Sequence, residues 1–429
     1  MGGLRRPDRR SGDGDGRPRG GPRRDNGPRR FARRPGAAGV TDRYDVVIVG
    51  GGIHGVGVAQ AAAAGGHTTL LIEQDALAGG TSSRSSKLIH GGLRYLESGR
   101  IGLVRESLRE RALLLRLAPE LVHLRSFYFP IYRATRRRPW QVRAGLSLYA
   151  ALGGMSDNMR FQRVRRDDWS GLDGLNTDGL QVVFRYRDAQ TDDAELTRAV
   201  MRSAESLGAM LAMPASFKAA KLTRDGAEIE YEKGGVEHTC ETRVLINAAG
   251  PWSRSVLDRI EPAPTGCAVE LVQGAHLVVR GAIESGIYYV EAARDGRAVF
   301  VMPWQGNTLV GTTETPFKGD PADVRVLPGE EQYLTEVLHA HFPRFAREPI
   351  IDSFAGLRVL PVGRDTTFKR SRETVLHPDR ARRPRLLTLY GGKLTTYRST
   401  AEKVMKLVAS SLPDRKPAAD TRMLELTAS

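Results

Sequence analysis

With 429 residues, 40% of them apolar, the chain is long enough for two hydrophobic cores and has the composition of a globular protein. No apolar run approaches the roughly 20 residues that span a bilayer, and the longest, 144–155, carries glycines. The formal net charge of +16 is uneven: residues 1–40 hold twelve arginines against four aspartates.

Residues 1–42 read as an Arg/Gly/Pro-rich tail with too little apolar surface to build a core, so disorder is expected there. Arg5-Arg6 and Arg9-Arg10 lack the apolar stretch that a twin-arginine signal needs. Such a tail suits RNA or anionic lipid, or solvent alone. Nucleic-acid binding is the less favoured of these readings and stays open. The two cysteines, Cys240 and Cys267, are too far apart for a local metal pair and suggest buried thiols in a reducing compartment.

The apolar run Val46–Val49 predicts a parallel strand buried on both faces. It enters Gly50-x-Gly52-x-x-Gly55 and then an Ala-rich helix over 56–64. The glycines serve a tight turn, a pyrophosphate against the backbone, and close helix–strand packing, while the helix N-terminus offers N–H groups to phosphate. A second apolar strand, 68–72, ends at Glu73, at the offset where a carboxylate bonds an adenosine ribose. Strand, glycines, helix, strand and acid together predict a dinucleotide site.

Next come a polar, glycine-rich segment over 79–96 and an amphipathic helix over 103–111. Residues 133–149 place arginines beside Trp140, with Leu146, Leu148 and Tyr149 behind, as in a basic amphipathic patch on anionic headgroups. An ordinary solvated helix is the alternative. Residues 244–250 repeat the buried-strand pattern. Short strands at 275–279, 287–290, 298–302 and 308–311 predict a second, largely antiparallel sheet. A helical period returns over 321–342. The strand–turn–helix pattern reappears from Leu386 through Gly391-Gly392 to Val408, and 410–429 is a short polar C-terminal tail.

The segment Thr81-Ser-Ser-Arg-Ser-Ser-Lys-Leu-Ile-His-Gly-Gly-Leu-Arg-Tyr-Leu96 resembles the signature of FAD-dependent glycerol-3-phosphate dehydrogenases, within the D-amino-acid-oxidase-like flavoproteins. The similarity continues through residues 103–111, 188–196, 247–252, 274–276, 302–304, 311–315, 353–358 and 391–398. It covers about residues 43 to 408.

The resemblance implies an α/β fold. A Rossmann-like FAD-binding domain is assembled from 43–126, 186–262 and 346–409, with a mainly antiparallel substrate domain inserted as 127–185 and 263–345. FAD would be held by Gly50, Gly52, Ile53, Gly55, Glu73, Thr81, Ser82, Ser85, Ser86, Lys87, Leu88, His90, Gly91, Gly92 and Leu93, together with Gly250, Gly356, Gly392, Lys393, Leu394 and Thr395. The phosphorylated substrate would meet Arg94, Tyr95, Arg358 and Arg372, with Arg358 nearest the reacting carbon. Arginine suits phosphate through its bidentate fork.

His276 is favoured as proton acceptor because neutral imidazole is poised near pH 7, and a structural histidine is the alternative. Lys393 would stabilise charge on reduced flavin or contact substrate oxygen. The reaction implied is oxidation of sn-glycerol 3-phosphate to dihydroxyacetone phosphate by hydride transfer to flavin N5. Electrons pass on to quinone or another acceptor, on a peripheral membrane surface or in the cytoplasm. A flavin oxidase of another hydroxy or amino acid is the rival enzyme, and a flavoprotein with a nucleic-acid-binding tail is the rival of another class. Two departures stand out. The family commonly has Lys where this chain has Gln273, which leaves the cavity one cation short, and the family's C-terminal helical domain is expected to be absent.

Overall fold

The structure, a computed structural model, describes residues 42–155, 157–362 and 374–428. The Arg-rich tail through residue 41 and Arg372 lie outside the described residues. In chain order, the elements that build the site are β1 (Asp42–Val49), α1 (Ile53–Ala64), β2 (Thr69–Ile72), α2 (Ile101–Leu117), β3 (Val122–Tyr132), α3 (Pro139–Leu152), β4 (Leu180–Thr191), α4 (Asp193–Ser206) and β5 (Val236–Asn247). They continue as β6 (Val269–Val279), β7 (Asn307–Gly311), α5 (Pro328–His341), β8 (Ile350–Pro361), β9 (Leu386–Tyr390) and α6 (Tyr397–Val408).

The first sheet is centred on β1, which pairs in parallel with β2 on one side and β5 on the other. The last residues of β5 pair in parallel with β9, whereas its first half is antiparallel to Ala227–Lys233. Side chains alternate across a strand, and here both faces are covered. Val46, Ile48, Leu71, Val244 and Ile246 pack in one apolar cluster with residues of α1, α4 and α6, while Val47, Val49, Leu70, Ile72 and Leu245 pack in another with the antiparallel wing. Each such residue contributes roughly 1.5–3 kcal/mol on burial, which is why these strands read as continuous apolar runs.

The second sheet is mainly antiparallel. β6 pairs with β7 along one edge and with β8 along the other, and the sheet continues through Ala298–Trp304 and Ile287–Glu291 to β3 and β4. α5 covers one face, packing with Ala275, Leu277 and Val279. α2 and α3 cover the other, against Phe127, Phe129, Val278 and Met302.

Three expectations change. β8, placed by sequence in the flavin domain, pairs along the length of β6 in the second sheet. The expected boundaries near 126 and 185 fall inside β3 and β4, which pair with each other along their length in the second sheet. The helical stretch over 321–342 divides into a short 3-10 turn at Pro321–Asp323 and α5. The residues after α6 also return over the first layer. The N–H groups of Ala418 and Ala419 donate to the Ala64 carbonyl at the end of α1, and that of Leu426 donates to Leu117.

Candidate active site

The β1–α1 turn is built for close approach. Gly50 sits at φ +111, and a Cβ there would lie 2.7 Å from the Ala248 carbonyl oxygen. A Cβ on Gly55 would lie 1.9 Å from the Gly50 oxygen, so only glycine lets the helix pack on the turn. Gly52 opens α1 without capping it, and the Ile53 N–H donates to Ser82 Oγ at 2.9 Å. Glu73 stands at the tip of β2 and accepts the Gly51 N–H at 2.6 Å. Gly250, at φ +53, begins the turn after β5. His54, in the first turn of α1, has a buried Nδ1 without a hydrogen-bond partner, and burial pushes its pKa down to about 4. Gly392, at φ +111, lies where a Cβ would meet His54 Nε2 at 2.0 Å. A glycine cradle at a helix N-terminus, a terminal carboxylate and an orphaned buried nitrogen fit a dinucleotide.

The segment from Thr81 to Leu96 runs from this turn to the second sheet. Thr81 donates to the Leu357 carbonyl on β8, and Gly356 leaves room for the Arg84 backbone. Ser85 and Lys87 both bind Asp193, with Lys87 Nζ 2.6 Å from its carboxylate and near the rings of Trp304 and Phe354. Both side chains therefore brace the loop against the start of α4, and Leu88 lies in the core. The His90 N–H is held by Thr395 Oγ1, on the 3-10 turn Leu394–Thr396. Gly92, at φ +76, then allows the turn Leu93–Leu96 that carries Arg94 and Tyr95. Lys393 Nζ sits 3.9 Å from the centre of the Tyr95 ring.

From the other sheet, His276 on β6 points at this segment, with Nε2 2.9 Å from Ser86 Oγ. Its ring stacks on Phe354 with centroids 4.9 Å apart, and the residue is 2% exposed. Burial foremost, then the charges of Arg358 and Lys87, push its pKa down to about 3. Arg358 lies two face-steps along, opposite Val272, and is paired with Glu314 at 3.1 Å. Glu314 also pairs with Arg297, 3.4 Å away. A Cβ on Gly274 would fall 2.9 Å from the Arg358 guanidinium, so the glycine makes a notch for it.

Gln273 is a correction. It is one residue out of phase with Gly274 and His276, so the strand turns its side chain to the far face of the sheet. There its amide binds the buried Glu330 and the Arg325 carbonyl. The missing lysine therefore removes no cation from this cavity. Residues 133–149 form helix α3 and the segment leading into it. α3 turns Leu146 and Tyr149 into the core and leaves Trp140 71% exposed, while Arg137 is paired with Glu97 and Glu291.

His54, Asp193 and Glu314 were not singled out by sequence, and Tyr149 was read only as apolar backing for a basic surface patch. His54 occupies a variable position of the glycine motif, and Asp193 and Glu314 lie inside resembling segments. That reading of Tyr149 concealed its hydrogen bonds to Gly91 and Asp188.

A nucleotide-binding layer facing an antiparallel sheet that carries Arg358 and His276 defines a redox enzyme with a dinucleotide cofactor. The chain belongs to the family of FAD dependent oxidoreductases, whose model matches residues 45–398. It is 36% identical over 382 residues to a glycerol-3-phosphate dehydrogenase of Pseudomonas tolaasii, covering 87% of this chain and 73% of that protein. It is 35% identical over 376 residues to D-erythritol 1-phosphate dehydrogenase of Brucella abortus, covering 86% and 74%. Among solved structures, the glycerol-3-phosphate dehydrogenase from Bacillus halodurans complexed with FAD superposes with a TM-score of 0.68 at 25% identity, over 90% of this chain and 68% of that one. FAD is thus the cofactor. Among the described residues no helix is long and apolar enough to cross a membrane.

Proposed function

We propose that the protein oxidises the secondary alcohol of sn-glycerol 3-phosphate to dihydroxyacetone phosphate. Bound FAD supplies the two-electron acceptor for the substrate C–H bond. Arg358, Arg94 and Arg372 receive the phosphorylated substrate, with Arg358 kept in place by Glu314. His276 takes the hydroxyl proton. It is neutral at pH 7 and so in its accepting form, and a phosphate dianion arriving beside Arg358 offsets one of the charges that hold its pKa low. Lys393 and Tyr95 close the opposite wall. Electrons pass on to a quinone, or to a soluble acceptor, and Trp140 with the arginines around it forms the surface that would rest on anionic headgroups.

The observation that supports this reading best is the Ser86–His276 hydrogen bond, 2.9 Å. It holds the flavin segment against the strand neighbouring Arg358, so that cofactor, cation and acceptor share one space.

A second reading, oxidation of a longer polyol phosphate, is favoured by the 35% identity to the Brucella enzyme. Steady-state comparison of sn-glycerol 3-phosphate, D-erythritol 1-phosphate, glycerol and glycine decides between them. The first is expected to give the highest kcat/KM by at least tenfold. A higher value for the erythritol ester overturns the substrate assignment, and turnover of glycine overturns the reaction class.

A further inference from the structure

Gly91 and Gly92 lead into the turn that carries Arg94 and Tyr95, and the Gly91 N–H is the end of a buried chain of hydrogen bonds. Tyr149 Oη accepts that N–H at 2.7 Å and donates to Asp188 Oδ2 at 2.7 Å. Asp188 Oδ1 in turn receives Arg111 Nη1 at 2.5 Å, and the same nitrogen donates to the Arg187 carbonyl. One residue comes from each of α3, β4 and α2, and all three are at most 3% exposed.

The arrangement holds the loop by contact as well as by hydrogen bonding. A Cβ on Gly91 would lie 2.5 Å from Tyr149 Oη and 2.6 Å from Leu108. Two consecutive amides are therefore fixed from opposite sides: His90 by Thr395 of the flavin layer, and Gly91 by Tyr149 of α3. The left-handed Gly92 then directs the turn, and the Tyr95 ring packs where a Gly92 side chain would stand. Burying a carboxylate and a guanidinium contributes little net stability compared with a well-packed apolar pair. Stability alone therefore does not call for this chain, whereas holding one amide in one place does.

We propose that Tyr149, held by Asp188 and Arg111, is a positioning residue that sets the Gly91 amide and with it the Arg94–Tyr95 turn against flavin and substrate. The inference rests on the reading of Arg94 and Tyr95 as substrate residues.

The test is Y149F in the FAD-loaded enzyme, with L146A as a control that loosens the same buried face of α3 without touching Gly91. Y149F is expected to keep stoichiometric FAD, to shift the visible flavin absorbance bands, and to raise KM for sn-glycerol 3-phosphate about tenfold. L146A is expected to lower Tm at least as much while leaving bands and KM as in the wild type. Y149F with wild-type bands and KM overturns the proposal, as does L146A reproducing its effects. If Y149F does not fold, R111K is measured in the same way, and a KM raised several-fold supports the proposal while an unchanged KM overturns it. If sn-glycerol 3-phosphate fails to reduce wild-type flavin, the substrate reading has failed by itself. The flavin bands of Y149F then decide: shifted bands support positioning, and unshifted bands overturn it.

Discussion

Ser86 Oγ and His276 Nε2 meet at 2.9 Å, one from the loop that leaves the nucleotide-binding turn and one from the strand beside Arg358. The contact joins two sheets with separate cores, and the proposed chemistry uses that seam. Replacing His276 by Asn keeps a polar side chain there but removes the proton acceptor. A general base contributes roughly 10²–10⁴-fold, so H276N should slow flavin reduction at saturating substrate by at least about 100-fold with FAD still bound. Stopped-flow absorbance measures this, and a rate within tenfold of wild type rejects the assignment.

Arg358 is the cation that Glu314 and Gly274 hold in place. R358A should abolish flavin reduction at millimolar substrate while leaving FAD stoichiometry unchanged. E314Q keeps a hydrogen-bonding side chain but frees the guanidinium from its carboxylate, so substrate affinity should change several-fold and depend more steeply on salt. Substrate titrations at low and high ionic strength check both variants.

Two buried imidazoles make stability depend on acid. His276 and His54 have folded pKa values near 3 and 4, depressed by burial, against an ordinary 6.5. Below pH 6.5 the unfolded chain takes up protons that the folded chain does not, so stability is complete above about pH 7 and falls as the pH drops toward 4. Each histidine contributes a slope of up to about 1.4 kcal/mol per pH unit. Urea midpoints of wild type and H276N between pH 7 and 5 should diverge accordingly, with the variant less sensitive to acid.

The C-terminal residues close over the first layer through Leu426, which is 3% exposed and packed in the α1–α6 cluster. L426A should destabilise the fold by about 2–3 kcal/mol, as truncation of a buried leucine does. Flavin spectra and KM should be unaffected. Denaturant unfolding beside a KM determination tests both halves of that statement.

The βαβ unit was legible in sequence because a doubly covered strand must be continuously apolar and its turn must be glycine. The strands at 275–279 and 308–311 were legible for a similar reason. Single side-chain directions were less so. Gln273 neighbours a motif whose alternate residues face the cavity, yet the two-residue period turns it away, and only knowledge of which face meets α5 reveals this. The inward role of Tyr149 depends on how α3 lies across β4, a long-range packing choice that local composition does not encode. β8 was misassigned because Ser353–Arg358 lies between flavin-layer segments in the chain, while its partner β6 is some 80 residues earlier in sequence.

In the proposed function one space holds FAD and takes electrons from sn-glycerol 3-phosphate. Purified protein, titrated anaerobically with that compound, should lose its visible flavin absorbance at submillimolar substrate and regain it on admission of a quinone. A flavin that dithionite bleaches but sn-glycerol 3-phosphate leaves unchanged would contradict the account.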